Sequence, residues 1–132
     1  MSKAIRKPRN WMPRQSRELR EHMAEMGLYP LQGGYELFVA KTARGWCNWN
    51  AKTVTVPLWA FNALRSHREI HGGNKRYFIY YACHEIAHSI AGPKANHGPE
   101  FMQEFMRICP KDLQHFELGY KPRNAAAAGI AK

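Results

Sequence analysis

YACHEIAHSIA, residues 81–91 of this 132-residue chain, is an H-E-x-x-H motif set in an apolar segment. On a helix, His84 and His88 are one turn apart, so both imidazoles face one point, as two ligands of a single zinc ion must. Glu85 lies beside that face, where it can accept a proton from water without occupying a coordination position. The motif therefore predicts one catalytic zinc site with Glu85 as the general base.

The flanks of the motif predict a helix of about 17 residues. Asn74 is the expected N-cap after Gly72-Gly73, and Gly92-Pro93 is the expected stop. We expect the side opposite the histidines to be buried, because apolar residues recur there at helical spacing: Ile79, Ala82, Cys83, Ile86 and Ile90. The motif alone leaves one alternative open, which is two histidines on a half-buried structural helix.

The third zinc ligand must come from outside the motif, because a catalytic zinc usually has three protein ligands and one open position. His97, nine residues after the second motif histidine, is the best candidate. Pro99 suits the first turn of a second helix, so His97 would enter the site from the start of that helix. Glu100 and Glu104 are the rival ligands.

Several segments together resemble one protein family. His84-Glu85-Ile86-Ala87-His88 is followed after a short loop by His97-Gly98-Pro99-Glu100-Phe101, and two upstream segments, 45–50 and 52–56, are similar to a strand pair. In these features the chain resembles the SprT-like zinc metalloproteases, the group that includes Spartan. The resemblance implies a minimal zincin-like metalloprotease domain with His97 as the third ligand. The cysteines form no C-x-x-C pair, so we expect no second, structural zinc.

Strand and helix patterns predict an α+β fold, with a small sheet of three or four strands packed on the motif helix and its neighbours. Strands are expected near 35–40, 45–50 and 52–56, and the last two are close enough to form a hairpin. The tryptophans of this region, Trp46, Trp49 and Trp59, are expected to pack in the core or on a sheet face.

Two further helices are expected outside the motif region. Ser16 is the expected N-cap of a helix that runs from Arg17 to about Met26 and is closed by Gly27. Pro57 is expected to open another helix that continues through Leu64.

Length, cysteine number and hydropathy limit the class of protein. The length suits one compact domain, and three scattered cysteines favour a reducing compartment over a disulfide framework. The sequence shows no apolar run of membrane-spanning length and no signal-peptide core. We expect a monomer in the cytoplasm, without membrane partners. If the protein is viral, we expect it to act in the host cytoplasm or at the nucleoid.

The basic composition favours polyanionic partners. The net charge is +10 and the pI about 9.9, which points to nucleic acid before membrane. Residues 1–14 are expected to form a flexible basic arm, 15–118 the SprT-like zincin domain, and 119–132 a flexible tail. Within the arm, cations beside an aromatic ring are candidates for binding single- or double-stranded DNA: Lys3, Arg6, Lys7, Arg9, Trp11 and Arg14. The alternative is a solvated arm that aids solubility.

The resemblance implies a zinc-dependent endopeptidase that acts on DNA-associated or DNA-crosslinked proteins, with nucleic acid as activator or tether. One alternative is a nucleic-acid- or host-factor-binding protein on a zincin scaffold without proteolytic activity. Another is a metal-dependent hydrolase of a non-peptide substrate. Glu85 favours an enzyme, because a purely structural zinc has no use for a general base beside its ligands.

Overall fold

The computed structural model of the chain describes residues 7–61 and 76–117. In these residues, helices accompany a three-stranded mixed sheet, which confirms the α+β class. The elements in chain order are α1 (Pro13–Glu25), β1 (Glu36–Ala40), β2 (Trp46–Asn48), β3 (Thr53–Pro57), α2 (Leu58–Phe61), α3 (Tyr77–Ala91) and α4 (Pro99–Ile108), with short 3-10 segments at Gln32–Gly34 and Lys111–Leu113.

β3 is the central strand of the sheet, with β1 parallel to it on one side and β2 antiparallel to it on the other. Val54 of β3 lies opposite Leu37 in the parallel pair and opposite Cys47 in the antiparallel pair. The β2–β3 pair is the hairpin that the sequence predicts. Its turn is closed by the Asn48 side chain, whose Oδ1 accepts a hydrogen bond from the backbone N–H of Ala51 at 2.9 Å. Within the described residues, β1 and β2 are therefore the sheet edges.

The hydrophobic core lies between the sheet and helices α1 and α3. Alternate residues of a strand point to the same face, and two such pairs, Leu37 with Val39 and Val54 with Val56, are fully buried. They belong to one cluster with residues of both helices, which include Leu19, Met23, Phe78, Ala82, Cys83 and Ile86. The side of α3 that we expected to be buried therefore holds this helix against the sheet.

The start of β2 lies very close to α3. The Tyr81 hydroxyl accepts a hydrogen bond from the backbone N–H of Gly45 at 2.9 Å. A Cβ atom at position 45 would lie 2.8 Å from the Tyr81 ring and closer still to the carbonyl oxygen of Thr55. Only a residue without a side chain permits this approach, so Gly45 sets the spacing between the hairpin and α3.

Helix α1 begins at Pro13, earlier than the predicted start at Arg17, and Ser16 is not its N-cap. The Ser16 side chain is buried and bonds to β1 instead. Its hydroxyl accepts a hydrogen bond from the N–H of Val39 at 2.9 Å and donates one to the carbonyl oxygen of Val39 at 3.3 Å. The N-cap prediction was wrong because the hydroxyl pairs with a strand and not with its own helix. Gly27, with φ 76°, follows the helix as predicted.

Helix α3 begins at Tyr77, with Arg76 at the N-cap position. It ends at Ala91, and Gly92 adopts φ 93°, which confirms the predicted stop. Asn74 itself lies outside the described residues.

Pro57 is the last residue of β3, and α2 starts only at Leu58. The prediction that Pro57 opens this helix was therefore wrong by one position. The predicted continuation of the helix to Leu64 lies outside the described residues.

The segment before α1 is tied to the outer edge of β1. Met12 donates its N–H to the carbonyl oxygen of Val39 at 2.7 Å, and the carbonyl oxygen of Asn10 accepts the N–H of Lys41 at 2.9 Å. Trp11 forms a bridge with Ala40 between these bonds. Within the expected arm over 1–14, backbone pairing attaches residues 10–12 to the sheet, and residues 1–6 lie outside the described part of the chain.

Other expectations fall partly within the described residues. Trp46 and Trp59 are 42% and 39% exposed, so they are not core residues, whereas Trp49 is half-buried. The tail predicted for 119–132 lies outside the described residues. Among the helices that the structure describes, none combines the length and apolar character needed to cross a membrane.

Candidate metal centre

Helix α3 places the two motif histidines on one face. The ring centroids of His84 and His88 are 5.0 Å apart, as expected for residues one turn apart. Both side chains are half-buried, and the opposite side of α3 packs in the core. The predicted division of this helix into a buried side and a histidine side is confirmed.

The loop between α3 and α4 brings His97 to the same place. Asn96 adopts φ 49°, and the N–H of Gly98 donates to the carbonyl oxygen of Ala95 at 2.8 Å, which reverses the chain tightly. Pro99 then starts α4, so His97 stands just before this helix. Its Nε2 lies 3.2 Å from Nε2 of His88 and 3.3 Å from Nε2 of His84.

These distances fit a tetrahedral zinc site. Two nitrogen ligands of a tetrahedral zinc, each about 2.0–2.1 Å from the metal, lie roughly 3.3–3.4 Å apart. The two contacts of the His97 Nε2 atom, at 3.2 and 3.3 Å, are close to that value. Three imidazoles are also a ligand set that zinc accepts in catalytic sites. The residues present therefore fit a zinc ion with three histidine ligands.

Hydrogen bonding alone does not account for the convergence. A ring nitrogen of histidine carries either one proton or one lone pair in the ring plane, so it can form one hydrogen bond. The Nε2 atom of His97, however, is within 3.3 Å of Nε2 atoms on two other rings. At least one of these contacts would then join two nitrogens without a hydrogen bond. A cation between the three rings satisfies all three lone pairs.

A buried carboxylate, which the sequence analysis did not identify, orients one ligand. Oε1 of Glu117 lies 2.7 Å from Nδ1 of His84 and accepts a hydrogen bond from the Tyr80 hydroxyl at 2.8 Å. The contact to Nδ1 leaves Nε2 of His84 for the metal, and carboxylates commonly hold zinc-binding histidines in this way. Glu117 is 33 residues from His84, so only the folded chain reveals the pairing.

Glu85 is a second buried carboxyl next to the histidines, at 6% exposed. Burial raises its pKa to about 7, because removal from water disfavours the charged carboxylate. The charge of His84 lowers this pKa and that of Glu117 raises it further. Burial raises the pKa of the Cys47 thiol on β2, and the charge of Glu85 raises it further.

His88 contacts the β2–β3 turn. Nε1 of Trp49 donates a hydrogen bond to the carbonyl oxygen of His88 at 2.9 Å, and the two rings meet edge to face at 6.2 Å. Burial, together with the charges of His84 and His97, lowers the pKa of His88 to about 4 against the opposing effect of Glu117. A neutral imidazole is the form that binds a metal. Nδ1 of His88 is buried without a hydrogen-bond partner.

The rival ligands lie elsewhere on α4. The Glu104 carboxylate pairs with Arg107 at 2.6 Å, and Glu100 is exposed in the first turn. In residues 7–61 and 76–117, the histidine triad is the only group of three potential ligands whose donor atoms lie within 4.8 Å of one another.

The predicted DNA-binding residues that the structure describes do not lie in the metal site. Lys7, Arg9 and Arg14 are exposed, and Lys7 lies over the Trp11 ring, 4.8 Å from its centroid. Trp11 also packs edge to face on Phe38 at 5.6 Å. These residues follow the β1 edge of the sheet, whereas the triad contacts the β2 hairpin. Lys3 and Arg6 lie outside the described residues.

Comparison of the chain with protein-family models, with curated proteins and with solved structures gave no match.

Proposed function

We propose that this chain is a zinc-dependent endopeptidase with a minimal zincin-like domain of the SprT-like type. The observation that carries the proposal is the convergence of three Nε2 atoms, from His84, His88 and His97, with the buried Glu85 beside them. A purely structural zinc site has four protein ligands and no adjacent base. Three ligands and a free carboxyl are the composition of a hydrolytic site.

The three histidines, Glu85 and Glu117 would have separate roles in peptide hydrolysis. A zinc ion held by the three histidines would polarise the peptide carbonyl and lower the pKa of water at its open position. Glu85 would accept a proton from the attacking water and later donate it to the leaving amine. Glu117 would hold the His84 ring in the orientation that keeps Nε2 directed at the metal.

The β2 edge is the proposed binding site for the substrate backbone. In the part of the chain that the structure describes, β2 pairs with β3 on one side only, and it begins and ends at contacts with α3, through Gly45 and Trp49. An extended peptide that added to this edge by backbone hydrogen bonds would lie alongside the metal-binding face of α3. This arrangement favours flexible or unfolded protein segments as substrates.

Nucleic acid is the proposed activator or tether. The net charge is +10, and exposed cations flank the attached segment before α1. Such charges bind phosphates without regard to sequence. DNA-associated or DNA-crosslinked proteins are accordingly the proposed substrates.

The Glu85→Gln variant tests the enzymatic proposal. We expect it to retain zinc and fold but to hydrolyse an unfolded protein substrate about 100- to 10,000-fold more slowly, because an amide cannot accept the proton. Glu104→Gln, at a half-buried carboxylate of α4 that pairs with Arg107, is the matched control and should keep full activity. Zinc content and hydrolysis with and without DNA are measured together. Undiminished turnover in Glu85→Gln, or none in the zinc-loaded wild type, would overturn the proposal and favour a binding scaffold.

A further inference from the structure

A cavity of about 420 Å³ lies beside the metal centre. This volume is within the range of small-molecule and side-chain binding pockets, about 300–1,000 Å³. Glu85 and His97 line the cavity, and so do four aromatic side chains: Trp59, Tyr77, Tyr80 and Tyr81. The reacting groups and an aromatic surface therefore share one space.

The aromatic surface is held in place by hydrogen bonds. Trp59 stacks on Tyr77, with ring centroids 6.2 Å apart and planes 27° apart, and its Nε1 donates to the carbonyl oxygen of Ala43 at 2.8 Å. The Tyr80 hydroxyl donates to Glu117 at 2.8 Å. Because the polar atoms of Trp59 and Tyr80 are engaged with the protein, these two side chains offer their ring carbons to a ligand. A rigid apolar surface of this kind suits a bulky apolar group.

The charges around the cavity disfavour ionic ligands. An anionic group would meet the carboxylate of Glu117, which is 4% exposed and also lines the cavity. With zinc bound to the three histidines, a cationic group would lie next to a positive ion. Moreover, Oε1 of Glu117 already accepts the Tyr80 hydroxyl and contacts His84 Nδ1. An uncharged apolar side chain meets neither obstacle.

We propose that this cavity is the main specificity pocket of the protein and takes an aromatic or large aliphatic side chain of the substrate residue next to the scissile bond. The inference rests on the proposed peptidase function. The geometric basis of the inference is that Glu85 and His97 line the cavity. A substrate side chain bound in the cavity would therefore place its neighbouring peptide bond next to these two residues.

The first test uses capped hexapeptides that differ only at one central residue, which is Phe, Leu, Ala or Lys. Hydrolysis by the zinc-loaded full chain is followed by mass spectrometry, which also locates the cleaved bond. We expect kcat/KM for Phe and Leu to exceed that for Ala by tenfold or more, as a filled apolar pocket typically provides, with cleavage adjacent to the varied residue. Equal rates for Phe and Ala, or a preference for Lys, would overturn the inference.

The second test assigns the preference to the cavity. Trp59→Ala removes a rim residue that is 39% exposed, so the fold should persist. We expect the Phe-to-Ala ratio of kcat/KM to fall several-fold in this variant and to recover in Trp59→Phe. Met106→Ala, a comparably exposed apolar residue on α4 at 42%, is the control and should keep the wild-type ratio. An unchanged ratio in Trp59→Ala would contradict the proposal.

A binding measurement separates this inference from the proposed function. Calorimetric titration of zinc-loaded Glu85→Gln with the same peptides requires no turnover. Tighter binding of the Phe peptide than of the Ala peptide would support the pocket even if the wild type cleaved neither. Cleavage by the wild type together with equal binding and equal rates would uphold the peptidase and reject the pocket.

Discussion

At the scale of single residues, local geometry brings the three histidines together, whereas the contacts that support them come from distant parts of the chain. The spacing of His84 and His88 on a helix fixes their common direction, and a short loop limits how far His97 can lie from them. Glu117 has no such local relation to the motif. Its pairing with His84 depends on the path of the chain after α4, which periodicity and spacing do not encode. The sequence predicted a packing role for Trp49, but the hydrogen bond from its Nε1 to the His88 carbonyl oxygen also depends on tertiary packing.

Glu117→Gln should weaken zinc binding by about tenfold or more, because the neutral amide supports the imidazole less strongly than a carboxylate does. The measurement is a competitive titration of zinc against a chelator. Glu100→Gln, an exposed position in the first turn of α4, is the control and should match the wild type. An affinity in Glu117→Gln equal to that of the wild type would show that the Glu117 contact does not tune the site.

At the scale of elements, helices and strands were predicted well, but the starts of α1 and α2 were not. Hydrophobic periodicity locates α1 and the hairpin, and glycine with positive φ marks the end of α1 at Gly27 and of α3 at Gly92. Helix starts depend on where a capping side chain finds its partner. Ser16 could have capped a helix locally, yet it bonds to Val39 across the α1–β1 interface.

Ser16→Ala should lower the free energy of unfolding by about 1–3 kcal/mol, because the buried N–H of Val39 loses the side-chain acceptor. Urea denaturation followed by circular dichroism measures the change. Ser89→Ala is the control, since its hydroxyl bonds only to the Ile86 carbonyl within α3 and its loss should cost less than about 0.5 kcal/mol. Equal losses of unfolding free energy in the two variants would show that the Ser16 hydroxyl does not stabilise the contact between α1 and β1.

At the scale of the whole molecule, the sheet order separates two surfaces. The segment before α1, which carries Lys7 and Arg9, pairs with the β1 edge. The metal centre contacts the turn of the β2–β3 hairpin, whose outer strand β2 forms the other edge. A nucleic acid held at one edge would therefore leave the other edge free for a protein substrate. Strand order follows from long-range pairing, so the sequence could predict three strands but not this separation.

The double variant Lys7→Gln and Arg9→Gln tests the proposed nucleic-acid surface. We expect weaker DNA binding and a salt dependence shallower by up to about two in log–log slope, because each phosphate contact contributes about 0.9. Lys94→Gln with Lys111→Gln removes the same charge from exposed positions elsewhere and serves as the control. The assay is a salt titration of binding to single- and double-stranded DNA. Equal losses in both double variants would mean that net charge, and not this segment, governs binding.

The coordination of zinc by the purified chain is the most direct measure of the central claim. X-ray absorption of the zinc-loaded protein, combined with metal titration, should show one zinc per chain with three imidazole nitrogens at about 2.0–2.1 Å. In His97→Ala the imidazole count should fall and the affinity should drop sharply, because His97 contacts both other ligands. Zinc binding with unchanged affinity in His97→Ala, or a wild-type spectrum without three imidazoles, would contradict the account.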